Sequence, residues 1–200
     1  VSALDGVKAH LADAGSAAAV TYTPTGADGG RAAAAAAAAA QLAIVCVAAP
    51  AAEAGAGVEG AELLAQPERA GLGLAPRDLQ MVQRVLAAQP NAVVVVTAPG
   101  GVLLPFAGGT AALLLAFWPG QEWGAALADL LFGATSPSGK LPISLPMADD
   151  DDDPAAAAAA APAALDPDLL VGYRGLDALG AAPRFAFGHG LSYSSFELSD

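Results

Sequence analysis

The chain has 200 residues, of which 55% are hydrophobic and 14% are charged, and its formal net charge is −12. This length and composition favour one packed globular domain over a disordered chain. The acidic charge disfavours nucleic-acid binding because it repels the phosphate backbone. The sequence contains no run of about 20 apolar residues, so no membrane span is predicted.

The N-terminal part of the chain predicts a helix, a short strand and a second helix. Residues 4–14 carry leucine and valine at helical spacing, and residues 19–23 form a β-favouring run. Residues 31–41 contain nine consecutive alanines, which are the strongest helix formers. A polyalanine helix has no preferred wet face, so we expect it to pack on a sheet. A low-complexity insert is the alternative.

The middle of the chain alternates between strand patterns and helix patterns. Continuous apolar runs, typical of strands buried on both faces of a parallel sheet, cover residues 42–47, 92–97 and 111–117. A further strand is predicted over residues 141–145, at a sheet edge because of Pro142. Helices are predicted over residues 76–88 and 121–132. This alternation predicts an α/β fold around a mostly parallel sheet.

A long segment, residues 48–75, separates the first buried strand from the next helix. It carries Glu53, Glu59, Glu62 and Glu68, and long segments of this kind in compact domains are usually functional or disordered. Ligands of open α/β sheets bind beyond the carboxyl ends of strands, so these carboxylates are the best placed for a site. Sequence physics alone favours the competing interpretation that any one of them is simply solvated.

Other kinds of site are poorly supported. Residues 55–60 match G-x-G-x-x-G, but seven residues separate them from the strand, whereas a dinucleotide site needs the first glycine directly after it. His10, His189 and the single cysteine, Cys46, form no spaced ligand set, so we expect no metal site. Cys46 is predicted to be a small buried hydrophobe. No G-x-S-x-G elbow for a serine nucleophile occurs.

The segment 148–164 is low in complexity. It holds five consecutive aspartates followed by an alanine run, and like charges repel, which predicts a solvated and variable loop. Calcium binding is the alternative, but the aspartates lack the interleaved spacing of a calcium loop. The chain starts neither with Met nor with a secretory signal pattern, so we expect a fragment or a processed chain.

Several motifs, in a consistent order, resemble the C-terminal α/β domain of family 3 glycoside hydrolases, the β-glucosidase and β-xylosidase group. The most specific is residues 118–146, which open with W-P-G-Q-E-W-G, continue through an apolar helix and close with S-P-S-G-K-L-P-I-S-L-P. Residues 187–193, F-G-H-G-L-S-Y, residues 170–174, L-V-G-Y-R, and the entry helix at residues 4–9 match the same family.

This resemblance implies one domain over residues 1–200, folded as a three-layer α/β/α sandwich around about six strands. The family places it beside an N-terminal (β/α)8 barrel, which is expected to be absent here. Together they act as a retaining exo-β-glycosidase, and no cofactor is implied. The implied partners are the barrel and a β-linked glucoside, xyloside or oligosaccharide, with neither nucleic acid nor membrane. An extracellular or secretory location is favoured.

The resemblance also implies a catalytic residue. The family's acid/base glutamate usually follows the first buried strand within E-x-E-G-x-D-R, and residues 58–62 here read V-E-G-A-E. Glu59 is therefore the candidate acid/base, although the Asp-Arg of the pattern is displaced to Glu68-Arg69. The aspartate nucleophile belongs to the barrel, so this chain alone should be inactive. The motifs at residues 118–146 and 187–193 are expected to build the fold and the barrel-facing surface.

Two other function classes stay open. A non-catalytic carbohydrate-binding or interaction module of the same fold would retain the motifs but not the chemistry, and the altered pattern around Glu59 favours it mildly. A nucleotide-binding α/β protein is the other class, and the poor placement of residues 55–60 argues against it.

Overall fold

The computed structural model describes residues 1–24, 28–49, 72–147 and 172–197. The elements in chain order are α1 Ala3–Asp13, α2 Arg31–Ala38, β1 Ala43–Ala48, α3 Pro76–Ala88, β2 Ala92–Thr97, a 3₁₀ turn Ala107–Gly109, β3 Ala112–Ala116, α4 Trp123–Leu131 and α5 Tyr173–Leu179. The predicted α/β class with a parallel sheet is confirmed. The described ranges contain a three-stranded sheet, and the full count of about six stays a prediction. Within them, no helix is long and apolar enough to cross a membrane.

β2 is the central strand of this sheet, and β1 and β3 both run parallel to it. Val94 of β2 is in register with Val45 of β1 and Leu113 of β3. Val94 is fully buried because a central parallel strand is covered on both faces, which is why β2 is a nearly continuous run of valines. The three central strands predicted from the sequence are therefore confirmed.

α2 and α3 cover one face of the sheet. Their buried side chains share one hydrophobic cluster with the inward residues of β1 and β2, which includes Ala37, Met81, Val82, Val85, Val45, Val47, Val94 and Val96. α3 has the predicted bounds, with Pro76 in its first turn, where the missing N–H costs no hydrogen bond. Each fully buried valine in this cluster stabilises the fold by about 1.5–3 kcal/mol relative to an exposed one.

The polyalanine helix α2 is part of this core, as predicted. Ala37 is buried in the cluster, and the end of the helix is held by Gln89, a buried residue just after α3. The Gln89 Nε2 donates to the carbonyls of Ala37 at 3.2 Å and Ala40 at 2.6 Å. Carbonyls in the last turn of a helix have no partner within it, so this amide supplies hydrogen bonds that alanine cannot.

α1 and α4 pack against each other and run parallel. Gly6 of α1 lies against the backbone of Gly124 of α4, and a Cβ added to Gly6 would collide with backbone atoms there. Further along both helices, the ring of His10 stacks on Phe132, with 4.4 Å between centroids and 7° between planes. His10 is half-buried in this contact. The absence of side chains at the two glycines permits this close approach.

The weaker strand predictions are not confirmed. Residues 19–23 form no strand, and Tyr22 is exposed. Residues 141–145 contribute a single antiparallel bridge, between Leu145 and Phe185. A strand exists only where a neighbour accepts and donates hydrogen bonds in register. The first run is short and finds no strand partner among the described residues, and Pro142 in the second has no N–H to donate.

The prediction that Cys46 is buried is wrong. Its side chain lies exposed on β1, which forms one edge of the described sheet, although its surroundings desolvate the sulfur enough to raise the pKa of the thiol. Successive side chains of a strand point to opposite faces. Val45 and Val47 belong to the core cluster, so Cys46 lies on the other face. A continuous apolar run does not reveal which of its positions is covered.

Candidate functional site at the carboxyl edge of the sheet

The three parallel strands end together at one edge. Ala48, Thr97 and Ala116, the last residues of β1, β2 and β3, are register partners. The ladder continues one residue further, because Ala49 N donates to Thr97 O at 2.7 Å and Ala98 N donates to Ala116 O at 2.9 Å. Three connecting segments therefore start side by side, at the edge where open α/β sheets bind their ligands.

The segment after β1 leaves and returns at this edge. Its start is fixed by the hydrogen bond of Ala49 to β2, and its return is fixed by Leu72, whose carbonyl accepts from Leu103 N at 3.0 Å. Leu72 and Leu74 are buried, which holds the returning chain against the domain. Ala49 and Leu72, the described residues on either side of residues 50–71, are thus both hydrogen-bonded to the chain at or after the end of β2.

The sequence-predicted carboxylates belong to that anchored segment. Glu53, Glu59, Glu62 and Glu68, together with residues 55–60, lie outside the described residues. The acid/base role of Glu59 therefore stays a prediction. The anchoring of the segment had no signal in the sequence, because the hydrogen bond between Leu103 and Leu72 joins backbone atoms.

The segment after β3 carries the other notable groups of this edge. Trp118 lies two residues beyond β3, and its side chain is 68% exposed. The Gln121 carbonyl accepts a hydrogen bond from the amino group of Val1 at 2.9 Å, which ties this segment to the start of α1. Glu122 precedes α4 and is exposed. Sequence reasoning assigned residues 118–146 to the scaffold and did not single out Trp118.

Among the described residues, two carboxyl groups, those of Asp5 and Asp28, have a pKa that is clearly shifted, and both are lowered from their ordinary value. Hydrogen bonds from the Ala32 and Gly30 backbone lower the pKa of Asp28, and hydrogen bonds with Ser2 lower the pKa of Asp5. A glycosidase proton donor needs a raised pKa. Both aspartates therefore serve the starts of helices rather than proton transfer.

The motifs at residues 118–146 and 187–193 contact each other through backbone hydrogen bonds, and we call this contact the junction. Leu141 N donates to His189 O and Gly188 N donates to Leu141 O, both at 2.8 Å. Gly190 lies so close to the first motif that a Cβ at Gly190 would be 2.6 Å from Gly139 O. The His189 ring packs at a tilt on Phe185, with 5.0 Å between centroids. These contacts agree with the prediction that the motif at residues 187–193 helps to build the fold.

Further hydrogen bonds close this junction. The Ser192 hydroxyl donates to Pro137 O at 2.6 Å, Tyr193 N donates to Ser136 Oγ at 3.0 Å and the Tyr193 hydroxyl donates to Leu130 O at 2.7 Å. A cleft of about 520 Å³ lies beside it, and its lining includes Ser136, Ser138, Ser192, Ser194, Lys140, Leu191 and Phe196. In the described ranges no group of His, Cys, Asp and Glu could hold a metal ion.

Comparison with protein families identifies one match over nearly the whole chain. Residues 1–193 match the glycosyl hydrolase family 3 C-terminal domain. A probable beta-glucosidase I of Aspergillus terreus is 41% identical over 135 residues, which is 66% of this chain and 16% of that protein. The chain thus spans a small part of the length of such relatives.

Solved structures give the same result. A beta-glucosidase of Chaetomium thermophilum superposes with a TM-score of 0.78 at 25% identity, over 98% of this chain and 24% of that one. A beta-glucosidase of Kluyveromyces marxianus, solved in complex with glucose, has a TM-score of 0.67 at 31% identity, over 84% of this chain and 19% of that one.

Proposed function

The chain belongs to the family of glycosyl hydrolase family 3 C-terminal domains, and from that premise we propose that it is the C-terminal domain of a retaining, exo-acting β-glucosidase. It supplies one wall of the sugar site and the acid/base, Glu59. The observation that carries this proposal is that Ala49 and Leu72, the described residues on either side of the segment that contains Glu59, are both hydrogen-bonded at the carboxyl edge of the sheet. The similarity to beta-glucosidases supports a β-linked glucoside as the substrate.

The proposed reaction divides two carboxyl groups between two domains. An aspartate of an N-terminal barrel attacks the anomeric carbon, while Glu59 protonates the leaving oxygen and later takes a proton from the attacking water. The two carboxyl groups of a retaining glycosidase stand about 5–5.5 Å apart. The site is therefore complete only where the anchored segment meets the barrel. Closure against the barrel would desolvate Glu59 and raise its pKa towards that of a proton donor.

The test is the substitution Glu59→Gln in the full-length protein. Removing a general acid costs roughly 10²–10⁴-fold in rate, so kcat/KM for cellobiose should fall by about that factor. A 2,4-dinitrophenyl β-glucoside, whose leaving group departs without protonation, should recover much of the rate in its glycosylation step. Glu62→Gln, on the same segment, is the matched control and should retain activity.

If the full-length protein hydrolyses no β-glucoside, the second candidate is favoured, which is a non-catalytic module of the same fold. The displacement of Asp-Arg to Glu68-Arg69 is the observation behind that candidate. If the full-length protein is active and Glu59→Gln has no effect, the proton donor is a different carboxylate.

A further inference from the structure

Arg184 carries a buried hydrogen-bond donor that has no acceptor. Its Nε is shielded from solvent and has no hydrogen-bond partner, and no other side-chain nitrogen or oxygen of the described residues is in this state. The backbone is fixed here, because Arg184 N donates to Leu145 O at 2.8 Å and Phe185 forms a bridge with Leu145. The Phe185 side chain packs against the core cluster. Successive side chains of an extended segment point to opposite faces, so the Arg184 side chain is directed away from the core.

The described residues supply no opposite charge for this guanidinium. The only ion pair among them joins Arg77 and Asp78. Charged side chains that are withdrawn from solvent are almost always paired, and an unpaired buried donor lowers the stability of a fold. A water molecule would accept one hydrogen bond from Nε and leave the charge unpaired. The two oxygens of a carboxylate match Nε and one Nη of the planar guanidinium, and they also neutralise it.

The surroundings of Arg184 have the character of an interface. Phe187 follows Arg184 by three residues, so their Cα atoms are at most about 11 Å apart, and the Phe187 side chain is 54% exposed. The ring of Tyr173, which is 43% exposed, lies against that of Phe187 with 5.2 Å between centroids. Adjoining aromatic rings in solvent, near an unpaired charge that is withdrawn from water, are typical of a surface that a partner covers.

We propose that Arg184, Tyr173 and Phe187 form an interaction surface that binds a carboxylate from another domain of the full-length protein. This rests on the proposed function only in taking the chain as one domain of a longer protein. The match covers 16% of the Aspergillus terreus protein, so most of the length of that relative lies outside the matched region. The carboxylate accepts hydrogen bonds from Nε and Nη of Arg184, and the two aromatic rings pack on the apolar surface around it.

The experiment compares Arg184→Met in the 200-residue chain and in the full-length protein. Methionine retains the apolar stem of the side chain and removes the donor. In the 200-residue chain the donor has no acceptor, so the unfolding temperature should stay the same or rise. In the full-length protein the substitution leaves the carboxylate buried and unpaired. The apparent unfolding temperature of this domain, at one scan rate, should therefore fall by at least about 2–4 °C.

Two further variants of the full-length protein isolate the contact. Arg184→Lys retains the charge but cannot form two parallel hydrogen bonds, so it should lose at least half as much as Arg184→Met. Arg77→Met is the matched control, because the Arg77 side chain is 77% exposed and its ion pair with Asp78 lies at the surface. It should stay within about 1 °C of the unmodified protein, as expected for an exposed ion pair.

Two results would overturn the proposal. One is an unchanged unfolding temperature for Arg184→Met in the full-length protein. The other is a fall in the unfolding temperature of the 200-residue chain, which would mean that the carboxylate belongs to the chain itself. Replacing the five aspartates 149–153, which lie outside the described residues, by asparagine would then abolish that fall if they are its source.

The outcomes also separate this proposal from the proposed function, because no activity is measured. A full-length protein that hydrolyses no β-glucoside, but is destabilised by Arg184→Met, loses the proposed function and keeps the interaction surface. An active protein in which Arg184→Met changes nothing keeps the function and loses the surface.

Discussion

Asp28 controls the start of the polyalanine helix. Its carboxylate accepts hydrogen bonds from Ala32 N at 2.7 Å and Gly30 N at 2.9 Å, and these two bonds lower its pKa. Arg84 of α3 donates to the carbonyl of Gly29 at 2.7 Å, which fixes the same turn to the neighbouring helix. α2 has only alanines after Arg31, so this turn supplies the polar contacts at its start.

We expect Asp28→Asn to be less stable than the unmodified chain in a pH-dependent way. A carboxylate whose folded pKa is below its ordinary value of 3.8 stabilises the fold above that pH, and this stabilisation is lost as the pH falls through the folded value. Urea unfolding should show a lower midpoint for Asp28→Asn at pH 7, and the difference should shrink below about pH 3.8. A difference that is constant over this range would contradict the assignment.

We expect Gln89, a buried polar side chain, to contribute more to the stability of the fold than an exposed glutamine of α3 does. In Gln89→Ala the carbonyl of Ala40 loses the Nε2 donor, whereas the carbonyl of Ala37 keeps its hydrogen bond from Ala40 N at 3.1 Å. The expected cost in the free energy of unfolding is that of a lost hydrogen bond, about 1 kcal/mol. Chemical denaturation should show that loss. Gln83→Ala, at an exposed position of α3, is the control and should change stability by less than about 0.5 kcal/mol. Equal effects of the two substitutions would rule out a capping role for Gln89.

At the level of the elements, the contact between α1 and α4 depends on two glycines. Glycine in a helix is less stable than alanine by roughly 0.5–1 kcal/mol, so Gly6→Ala and Gly124→Ala would be stabilising if the helices were apart. In this fold a Cβ on Gly6 meets the Gly124 backbone, and a Cβ on Gly124 meets the carbonyl of Ser2. The helices must separate, and overpacking of this kind costs about 1–3 kcal/mol.

We therefore expect both substitutions to lower the thermal unfolding temperature, against the direction of helix propensity. Gly139→Ala is the matched control, because a Cβ there meets no atom within 4 Å. Its unfolding temperature should be close to that of the unmodified chain. A rise in unfolding temperature for Gly124→Ala would show that α1 and α4 do not make this contact in solution.

The sequence predicted best those elements that are buried on all sides, because every position of such an element is apolar. β2 is covered on both faces, so its valine run predicted both its existence and its position. Residues 19–23 had the same composition signal, but no strand among the described residues pairs with them. The apolar run of β1 predicted that Cys46 is buried, but its side chain is exposed on a strand at one edge of the described sheet. Whether a partner or a covering layer exists is a property of the tertiary fold, not of the segment.

The candidate site was predictable only in part. The apolar run of β1 and the parallel topology placed a ligand edge after β1, and the family resemblance singled out Glu59. The contacts that fix this edge are between backbone atoms, such as Leu103 N to Leu72 O, and have no residue signature. Trp118 was recognised as part of a motif, yet its exposure depends on where β3 ends and how the next segment turns.

At the level of the whole molecule, the chain is expected to be a stable but incomplete catalyst. Curated relatives are much longer, since the match covers 16% of the Aspergillus terreus protein. A retaining mechanism needs two carboxyl groups, and the proposed nucleophile lies in the barrel. We expect the isolated 200 residues to show no turnover of 4-nitrophenyl β-glucoside, and the chain joined to its barrel to be active.

The control for this prediction is a folded, isolated domain. Circular dichroism and a cooperative thermal transition should confirm that the inactive chain is folded before activity is compared. Turnover by the isolated chain at the rate of the joined protein would contradict the division of the two carboxyl groups between domains, and it would place both of them within these 200 residues.

The junction between the two C-terminal motifs has a consequence for engineering. Leu145 N and Arg184 N are each hydrogen-bonded across the junction, to Phe185 O and Leu145 O respectively, at 2.8 Å, so both sides of residues 148–171 are held in place by each other. Doubling the length of a connection between fixed ends costs only about 0.6 kcal/mol. The predicted loop at residues 148–164 lies outside the described residues and stays a prediction. We expect this aspartate- and alanine-rich stretch to accept the insertion of a fluorescent protein or an affinity handle.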